Sequence, residues 1–411
     1  MPPIAPDAPR VHDVLIVGGG LVGASLAIAL APLGLDVGLV EASPPGALPA
    51  VFDQRNLSFA EATVHALDAL GVLPLLRAPT GRIRRIHASR AGDFGRIRLD
   101  AATHGRQEFG RVVVARDFGE ALEARLAQLR SLSRYRPARF LGLEVSDAAY
   151  RSVRIADADA DGERVLHARL LVAADGARSS VRDALGIAAR EHDYQQTLFV
   201  ARLRTQAPPD GTAYERLTAS GPTALLPRGD GHYGLVHGVA GAEAAAVAAL
   251  DDAGFLARVQ AAFGWRAGRF LMVGPRSAYP IVGSVAEALV APRAVLVGNA
   301  AQSLHPLGAQ GFNLGLRDAL TLAECIAAAP GDAGDAAVLR LHAARRADDR
   351  ARTLAFSDGL ARLTANDAPL LRPLRSAGLL AGDASGWLQA WLVGGAMGYR
   401  GDVPALCRGA A

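Results

Sequence analysis

The chain is 411 residues long, carries a formal net charge of +4 and is 50% hydrophobic. This length predicts two closely linked domains with a large core and a C-terminal tail, and the small net charge disfavours nucleic acid as a partner. The chain contains 44 arginines and no lysine. Schiff-base and P-loop chemistry are therefore excluded, because both require a lysine.

The side chains that commonly bind metals are scattered along the chain. Cys325 and Cys407 lie far apart and match no metal or redox spacing, and the ten histidines include no H-E-x-x-H cluster. We therefore expect no metal site, and the cysteine usage favours a reducing, cytoplasmic location.

The first predicted elements lie in residues 13–41, DVLIVGGGLVGASLAIALAPLGLDVGLVE. Residues 14–17 predict a buried strand, residues 24–33 a helix, and residues 37–40 a second strand. This strand–helix–strand order is typical of a nucleotide-binding βαβ unit. A transmembrane helix is the alternative, because residues 14–35 are uncharged, but three successive glycines and Pro32 disfavour one continuous helix.

The turn between that strand and helix carries the pattern G-x-G-x-x-G, in which Leu21 and Val22 separate Gly20 from Gly23. Gly18 permits a tight turn, Gly20 lets the backbone approach a pyrophosphate, and Gly23 lets the helix pack closely on the strand. The helix N-terminus then favours the negative charge of the pyrophosphate.

The acidic residue Glu41 follows the second strand, about 20 residues beyond the glycines, where a carboxylate can hold ribose hydroxyl groups. Together with the glycines, it predicts a dinucleotide site that includes Leu21 and Val22.

The remaining elements alternate between two patterns along the chain. We predict a helix over 60–76, strands over 82–99 around a turn at 92–95, a helix over 118–129 and a strand over 165–174. An antiparallel set of strands over 196–281 contains a helical insert at 242–263, and a strand over 294–297 precedes a helix over 313–329. The rest is helical with loops.

Nucleotide-type patterns therefore flank a different architecture, which predicts a discontinuous α/β domain with a second domain inserted into it. We assign 1–80, 116–190 and 285–365 to the nucleotide domain. The segments 81–115 and 191–284 form a mainly antiparallel substrate domain, and 366–411 form a C-terminal helical segment.

A second patch, LVAADGARSSVR, covers residues 171–182 and places Asp175 and Gly176 at a strand end. Arginines beside an exposed glycine turn suit phosphate oxygens, and an ordinary Asp-Gly turn with solvated arginines is the equal alternative.

A third patch, VLVGNAAQSLHPLGAQGFNLGLRD, covers residues 295–318. It contains Asn299 after the strand, His305 and Pro306 in a loop, and a glycine-rich helix start that favours negative charge in front of it. For His305, loop packing and catalysis remain equal alternatives.

These three patches together resemble the fingerprints of FAD-dependent aromatic monooxygenases of the p-hydroxybenzoate hydroxylase type. Further stretches, including YERLTASGPTALLP and GGAMGYRGDVPALCRG, are similar to the ubiquinone-biosynthesis hydroxylases of that family, particularly those that act on 2-polyprenyl-6-methoxyphenols. Two departures stand out: Gly298-Asn299 replaces the broader family's Gly-Asp, and the loop reads His-Pro-Leu-Gly-Ala-Gln-Gly in place of His-Pro-x-Ala-Gly-Gln-Gly.

The resemblance implies a Rossmann-like FAD-binding domain with an inserted β-sheet substrate domain. It implies a monooxygenase that uses O2 and NADPH or NADH through a flavin C4a-hydroperoxide. It also implies roles for particular residues: His305 and Pro306 border the reacting face, and the cofactor-binding residues are Gly18, Gly20, Leu21, Val22, Gly23, Glu41, Arg55, Arg116, Asp175, Gly176, Asn299, Gly308, Gln310, Gly311, Phe312 and Asn313.

A lipophilic phenol substrate would further imply contact with a membrane or a quinone-biosynthesis complex. The segment 370–393, with Trp387 and Trp391, is a candidate interfacial surface peripheral to the inner membrane, and packing on the protein's own core is the alternative. The oligomeric state is left open. Competing functions are another enzyme on the same fold, a flavin-binding scaffold without turnover, and a plain NAD dehydrogenase, which would leave the second and third patches unexplained.

Overall fold

A computed structural model describes residues 10–51, 53–145, 148–157, 162–329, 331–365, 368 and 371–409. The strands are β1 (Val11–Val17), β2 (Val37–Val40), β3 (Asn56–Ala60), β4 (Gly81–Ile83), β5 (Arg85–Arg90), β6 (Arg96–Asp100), β7 (Gly110–Val114), β8 (Leu132–Tyr135), β9 (Ala138–Leu143), β10 (Arg151–Asp157), β11 (Gly162–Ala173), β12 (Ala189–Thr205), β13 (Thr212–Thr218), β14 (Gly221–Pro227), β15 (Tyr233–Ala240), β16 (Phe270–Val273), β17 (Ser277–Ala286), β18 (Val290–Ala291), β19 (Ala294–Leu296) and β20 (Gln302–Ser303).

The helices are α1 (Leu21–Leu30), α2 (Glu61–Ala69), α3 (Ala115–Leu126), α4 (Ser180–Ala184), α5 (Ala244–Ala248), α6 (Asp252–Phe263), α7 (Gln310–Ala328), α8 (Ala336–Ala365), α9 (Leu371–Ala384) and α10 (Gly386–Ala396). In the described part of the chain, no helix combines the length and apolar character that crossing a bilayer requires.

The first sheet has the order β18-β19-β11-β1-β2-β8, and its central strands run parallel. The long strand β11 also pairs antiparallel with β10, which in turn pairs with β9. Helices α1, α3 and α7 pack on one face of the sheet through a single apolar cluster. The opposite face packs against apolar side chains of β9, β10 and α4.

The second sheet has the order β20-β17-β12-β15-β14-β13-β5-β6, with β16 added beside β12. One face of this sheet is covered by α6, because Phe255, Val259 and Phe263 join the apolar cluster of the sheet. The opposite face, here called the inner face, packs against the His305 loop, α8 and the C-terminal helices. Strands β3, β7 and β4 form a small third sheet.

Buried ion pairs tie α7 to α8. On α7, Arg317 donates from Nε to Oδ2 of Asp349 at 2.7 Å. From α8, Arg346 donates to Asp318 at 2.7 Å and to Asp349 at 2.6 Å. Burial acts to raise the pKa of Asp349, but the two arginines outweigh it and hold that pKa below its ordinary value. These pairs fix the start of α7 relative to the rest of the fold.

The two-part architecture predicted from sequence is present, but several element ends differ. The helix predicted over 60–76 ends at Ala69, because Gly71 takes φ +71° and a separate 3-10 turn follows at Leu73–Leu75. The helix predicted from 313 begins three residues earlier, at Gln310. The segment assigned to the substrate domain over 81–115 divides, since β5 and β6 join the second sheet while β4 and β7 belong to the third.

Candidate active site

The three sequence patches follow three adjacent strands of the first sheet. Strand β11 lies between β1 and β19, and Ala173 pairs with both Val17 and Leu296 at their carboxyl ends. Loops that follow the carboxyl ends of parallel strands meet at one edge of the sheet, which is where ligands of such sheets bind. The patches therefore line a continuous edge, although more than 250 residues of chain lie between the end of the first patch at Glu41 and the start of the third at Val295.

Two glycines of the first patch are required by close packing. Gly18 takes φ +107°, and a Cβ there would lie 2.4 Å from the carbonyl oxygen of Ala174. A Cβ on Gly23 would lie 1.9 Å from the carbonyl oxygen of Gly18. Gly20 differs, since the nearest described atom to its added Cβ is Val51 Cγ1 at 3.7 Å. The backbone at Gly20 therefore faces open space in front of α1.

The N-terminus of α1 is available to an anion. Gly20 is its N-cap, and among the described residues no side chain caps the helix and no acid lies in its first turn. Leu21 and Val22 form that first turn and are half-buried. A Cβ added to Gly298 would lie 2.9 Å from Val22 Cγ2, so the third patch packs directly on α1.

Glu41 is buried beneath the glycine turn. Its Oε2 accepts a hydrogen bond from the backbone N–H of Gly19 at 2.8 Å, and its Oε1 accepts one from Ser43 at 2.7 Å. These bonds hold the carboxylate at the end of β2, beside the turn. The ribose contact of Glu41 stays a prediction.

The carboxylate of Asp175 is held by its own patch. It accepts hydrogen bonds from Ser179 Oγ and from the N–H of Val181, and burial raises its pKa. Gly176 takes φ +94°, and no described atom lies within 4 Å of its added Cβ. Buried Arg182 donates to the carbonyls of Ala177 and Ala300 at 3.1 and 3.3 Å. A fold-stabilising role therefore accounts for Arg182 without a phosphate.

The third patch presents its polar groups around the start of α7. Asn299 is exposed at the strand end. Gly308 takes φ +72° and Ala309 takes φ +52°. The two residues whose order differs from the family pattern therefore both have a left-handed backbone. Gln310 donates to the carbonyl of Gly308 at 3.0 Å. At Gly311 no described atom lies within 4 Å of an added Cβ, which leaves open space at the helix start.

Phe312 and Asn313 attach the helix start to the core. The ring of Phe312 lies 5.4 Å from that of Phe59 and 5.3 Å from that of Phe118. Asn313 Oδ1 accepts from the N–H of Ala60 at 3.0 Å and from Thr63 Oγ1 at 2.7 Å. The Asn313 side chain thus positions the backbone of α7, which is the part of this segment predicted to face the cofactor.

The two predicted arginines differ in their surroundings. Arg55 makes a two-point ion pair with Asp53, with both N–O distances 2.8 Å, and its guanidinium lies 4.4 Å from the ring centroid of Tyr279. Tyr279 also donates its hydroxyl to Asp53. Arg116 is exposed, and its Nε lies 3.4 Å from Oε1 of Glu120. Their cofactor contacts stay predictions.

His305 is buried and held from both sides of its ring. The N–H of Leu307 donates to Nδ1 at 3.2 Å, which leaves the proton on Nε2 to be donated to Gln196 Oε1 at 3.0 Å. Burial lowers its pKa to about 4, so the imidazole is neutral at pH 7. Its neighbour Pro306 is exposed. The geometry supports a loop-packing role, and the catalytic role of both residues stays a prediction.

Sequence reasoning missed the partners of these residues. Asp53 stands two positions from Arg55, a spacing that could have indicated the ion pair. Gln196 and Tyr279 lie on strands distant in sequence, and no local pattern indicates them. They reach the site through the register of β12 and β17.

The site fits a large anionic dinucleotide with a flat head group. Two helix N-termini, of α1 and α7, open on the same edge, and in the described chain neither has a side-chain cap or an acid in its first turn. The open positions at Gly20 and Gly311 let backbone approach a ligand at both ends. FAD, with a pyrophosphate and a ring that becomes anionic on reduction, has this distribution of charge.

Comparisons with known proteins agree with this geometry. Residues 11–357 match a family model described as an FAD binding domain. The chain is 34% identical to the ubiquinone hydroxylase UbiL of Rhodospirillum rubrum, covering 99% of this chain and 95% of the relative. It is 28% identical to the 3-demethoxyubiquinol 3-hydroxylase of Escherichia coli, covering 92% and 96%.

A solved structure shares the fold. The p-nitrophenol 4-monooxygenase PnpA of Pseudomonas putida superposes with a TM-score of 0.77 at 18% identity, covering 96% of this chain and 99% of that one.

Proposed function

The chain belongs to the FAD-binding domain family and is an FAD-dependent hydroxylase, and from this premise we propose that it hydroxylates the ring of a polyprenyl phenol of the 2-polyprenyl-6-methoxyphenol type in ubiquinone biosynthesis. NADPH or NADH, the reductant typical of the family, and O2 are the co-substrates. The hydroxylases of ubiquinone synthesis to which the chain is similar support this substrate class.

One structural observation carries the proposal. Leu307 of the third patch packs with Leu217 on the inner face of the second sheet. The segments that fit FAD and an apolar sheet face therefore share a boundary. An apolar aromatic ring bound at this boundary would contact both the FAD site and an apolar surface. A lipophilic phenol requires such an apolar surface for binding.

Reduced FAD, when bound, activates O2 and supplies one oxygen atom to the ring. The protein's own residues bind and orient both partners. The α1 N-terminus and the turn at Gly20 would hold the pyrophosphate, Glu41 the ribose, and the α7 N-terminus the ring edge that becomes negative on reduction. His305, neutral and bonded to Gln196, would position the loop that excludes water from the reacting face.

The test uses purified protein loaded with FAD and a short-chain 2-prenyl-6-methoxyphenol. We expect yellow protein in which the phenol accelerates NAD(P)H oxidation, with one hydroxyl group added per turnover as measured by mass spectrometry. Correctly folded protein that binds no flavin would contradict cofactor binding. Yellow protein without phenol-dependent oxygen uptake would favour the flavin-binding scaffold instead.

We also propose that α9 and α10 contact the membrane that holds such a substrate. Trp387 and Trp391 lie one helical turn apart on α10 and are 72% and 48% exposed, and Leu374 on α9 is 69% exposed. The guanidinium of Arg400 lies 3.8 Å from the Trp391 ring centroid, which adds positive charge beside the apolar surface. Amphipathic aromatic rings with nearby arginines favour an anionic bilayer interface.

This membrane proposal is tested by co-sedimentation with phosphatidylglycerol-containing vesicles. The double variant Trp387→Ala, Trp391→Ala should lose most of its binding. Trp265→Ala is the matched control, because Trp265 is 69% exposed after α6 on the opposite side of the second sheet. Equal binding by all three proteins would overturn the proposal.

A further inference from the structure

Glu215 lies in the middle of β13, on the inner face of the second sheet. On β13 its neighbours Tyr214 and Arg216 point to the other face, where the Tyr214 ring packs on Phe263 of α6. Because side chains alternate along a strand, Glu215 points inward with Leu217. Leu217 packs on Leu307 of the His305 loop, so Glu215 lies two residues, roughly 7 Å at about 3.3 Å per residue, from that contact.

The strands on either side leave space around this carboxylate. The register pairs Glu215 with Ala224 on β14 and with Ala88 on β5. Ala224 pairs in turn with Val236 on β15. The row across the sheet therefore reads Val236, Ala224, Glu215, Ala88. One carboxylate stands between two methyl groups on an otherwise apolar row, with no bulky side chain beside it.

Glu215 is deep in the protein and still accessible. Burial alone raises its pKa to about 7. The residue nevertheless keeps part of its surface exposed. Among the described residues, no hydrogen bond or ion pair to its carboxylate is found, and its oxygens are not fully enclosed by protein. Because burying a carboxylate without a partner is unfavourable, this group is available to a ligand that can donate a hydrogen bond.

Four other charged groups near this face have partners. Arg90 on β5 pairs with Asp93 at 3.6 Å, and Asp93 pairs with Arg375 on α9 at 3.0 Å. On the side of α8, Asp358 accepts a hydrogen bond from Tyr194 at 3.1 Å. In the described chain, Glu215 is thus the carboxylate of this face that remains for a ligand.

We propose that the Glu215 carboxylate binds the phenolic hydroxyl of the aromatic substrate and acts as the catalytic base that accepts its proton. This inference rests on the proposed function, because it requires a phenol bound at the inner face of the second sheet. Its geometric basis is the inward position of Glu215 between two alanines, beside the loop that adjoins the FAD-binding edge.

The overall reaction consumes the phenol, O2, NAD(P)H and one proton. The phenolic O–H bond breaks and its proton moves to the carboxylate, leaving a phenolate whose ring carbons are more electron-rich. A ring carbon then gains one oxygen atom from O2, and the other oxygen leaves as water. That ring carbon then loses its hydrogen as a proton, which becomes part of the water formed, and the Glu215 carboxyl returns its proton to the phenolic oxygen. NAD(P)H is oxidised, and the catechol-type product is neutral.

The test compares Glu215→Gln with the wild-type holoenzyme, using the short-chain 2-prenyl-6-methoxyphenol. General-base catalysis typically contributes at least about 100-fold, so kcat/KM should fall by about that factor. The FAD content of Glu215→Gln, measured by flavin absorbance, should equal that of the wild type. The kcat/KM of the wild type should fall as the Glu215 carboxylate is protonated below about pH 7, and Glu215→Gln should lack this pH dependence. Glu191→Gln, an exposed glutamate on β12, is the matched control and should behave as wild type.

Three outcomes separate the possibilities. Wild-type protein that does not respond to the phenol refutes the proposed function itself. A responsive wild type with an equally active Glu215→Gln variant, or with the same pH dependence of kcat/KM in both proteins, overturns the role of Glu215 alone. A structural role for the carboxylate predicts a lower Tm in Glu215→Gln and Glu215→Leu, whereas a base held at a desolvation cost predicts an unchanged or higher Tm with lost activity. Lower Tm in both variants would therefore also overturn the proposal.

Discussion

The carboxyl edge of the first sheet and the inner face of the second sheet meet at the His305 loop, yet they are constructed differently. The edge is formed mainly by backbone. Gly18 and Gly23 set the shape of the turn, and two helix N-termini supply partial positive charge. On the inner face, side chains from different strands create the surface, and Glu215 is accessible because alanines flank it on β5 and β14. A site made by backbone is encoded locally, whereas one made across strands depends on register.

The largest effect is expected where the backbone site also holds the fold together. Gly23→Ala would place a Cβ 1.9 Å from the Gly18 carbonyl oxygen, so α1 could not pack on β1. We expect little folded protein and no bound FAD, measured by circular dichroism and flavin absorbance. Gly359→Ala on α8 is the control, since no described atom lies within 4 Å of its Cβ. Native folding of Gly23→Ala would contradict the packing role.

Gly20→Val should separate cofactor binding from folding. The nearest described atom to its Cβ is 3.7 Å away, so the apoprotein should keep its fold, but the branched side chain would project into the space in front of α1. We expect the Tm of the apoprotein to stay near wild type while FAD is lost on gel filtration. Normal flavin content would show that the pyrophosphate binds elsewhere.

Asp349→Ala tests how far side-chain contacts support the backbone site. The substitution leaves buried Arg317 and Arg346 without this carboxylate, and breaking such pairs costs about 3–5 kcal/mol of unfolding free energy. Urea denaturation measures the loss. Asp348→Ala removes an adjacent, exposed carboxylate paired with Arg352 and should change stability by less than about 0.5 kcal/mol. Equal losses in the two variants would refute the stabilising role of these buried ion pairs.

Stability should depend on pH through Glu215. Its folded-state pKa, about 7, lies above the ordinary value of 4.5, so its contribution is fully present below pH 4.5 and is lost as the pH rises through 7. Glutamine cannot ionise. The Tm of Glu215→Gln relative to wild type should therefore rise between about pH 4.5 and 8. A difference in Tm that does not vary with pH would show that the carboxylate is well solvated.

The smallest effect concerns the loop whose residue order departs from the family pattern. Gly308→Ala would place a side chain on a backbone with φ +72°, at a cost of about 1 kcal/mol. Its Cβ would make only an ordinary 3.8 Å contact with Phe356, so packing adds no penalty. A second substitution, Ala309→Gly, should offset part of the loss, because Ala309 also has positive φ. Thermal denaturation of the single and double variants measures both effects.

Much of the carboxyl edge of the first sheet could be predicted, because the residues that form each of its turns are close together in sequence. The first strand, turn and helix were recognised from glycine spacing and hydrophobic periodicity. Errors occurred where local patterns ended: the α2 helix ends at Ala69 because Gly71 has a positive φ, and α7 begins at Gln310 after a left-handed Ala309. Arg182 shows a different difficulty, since an arginine beside a glycine turn looks the same in sequence whether it binds carbonyls or phosphate.

The sequence alone determined the βαβ unit, the family resemblance and the need for small residues in the turns, because each follows from spacing within a few tens of residues. Only the tertiary structure decided which face of β13 points inward, and so that Glu215 lies on the inner face while Tyr214 and Arg216 do not. Alternation defines two faces of a strand, but pairing with distant strands and packing of helices decide which face meets the site. For the same reason, the sequence alone did not indicate the contact of His305 with Gln196 or that of Arg346 with Asp318.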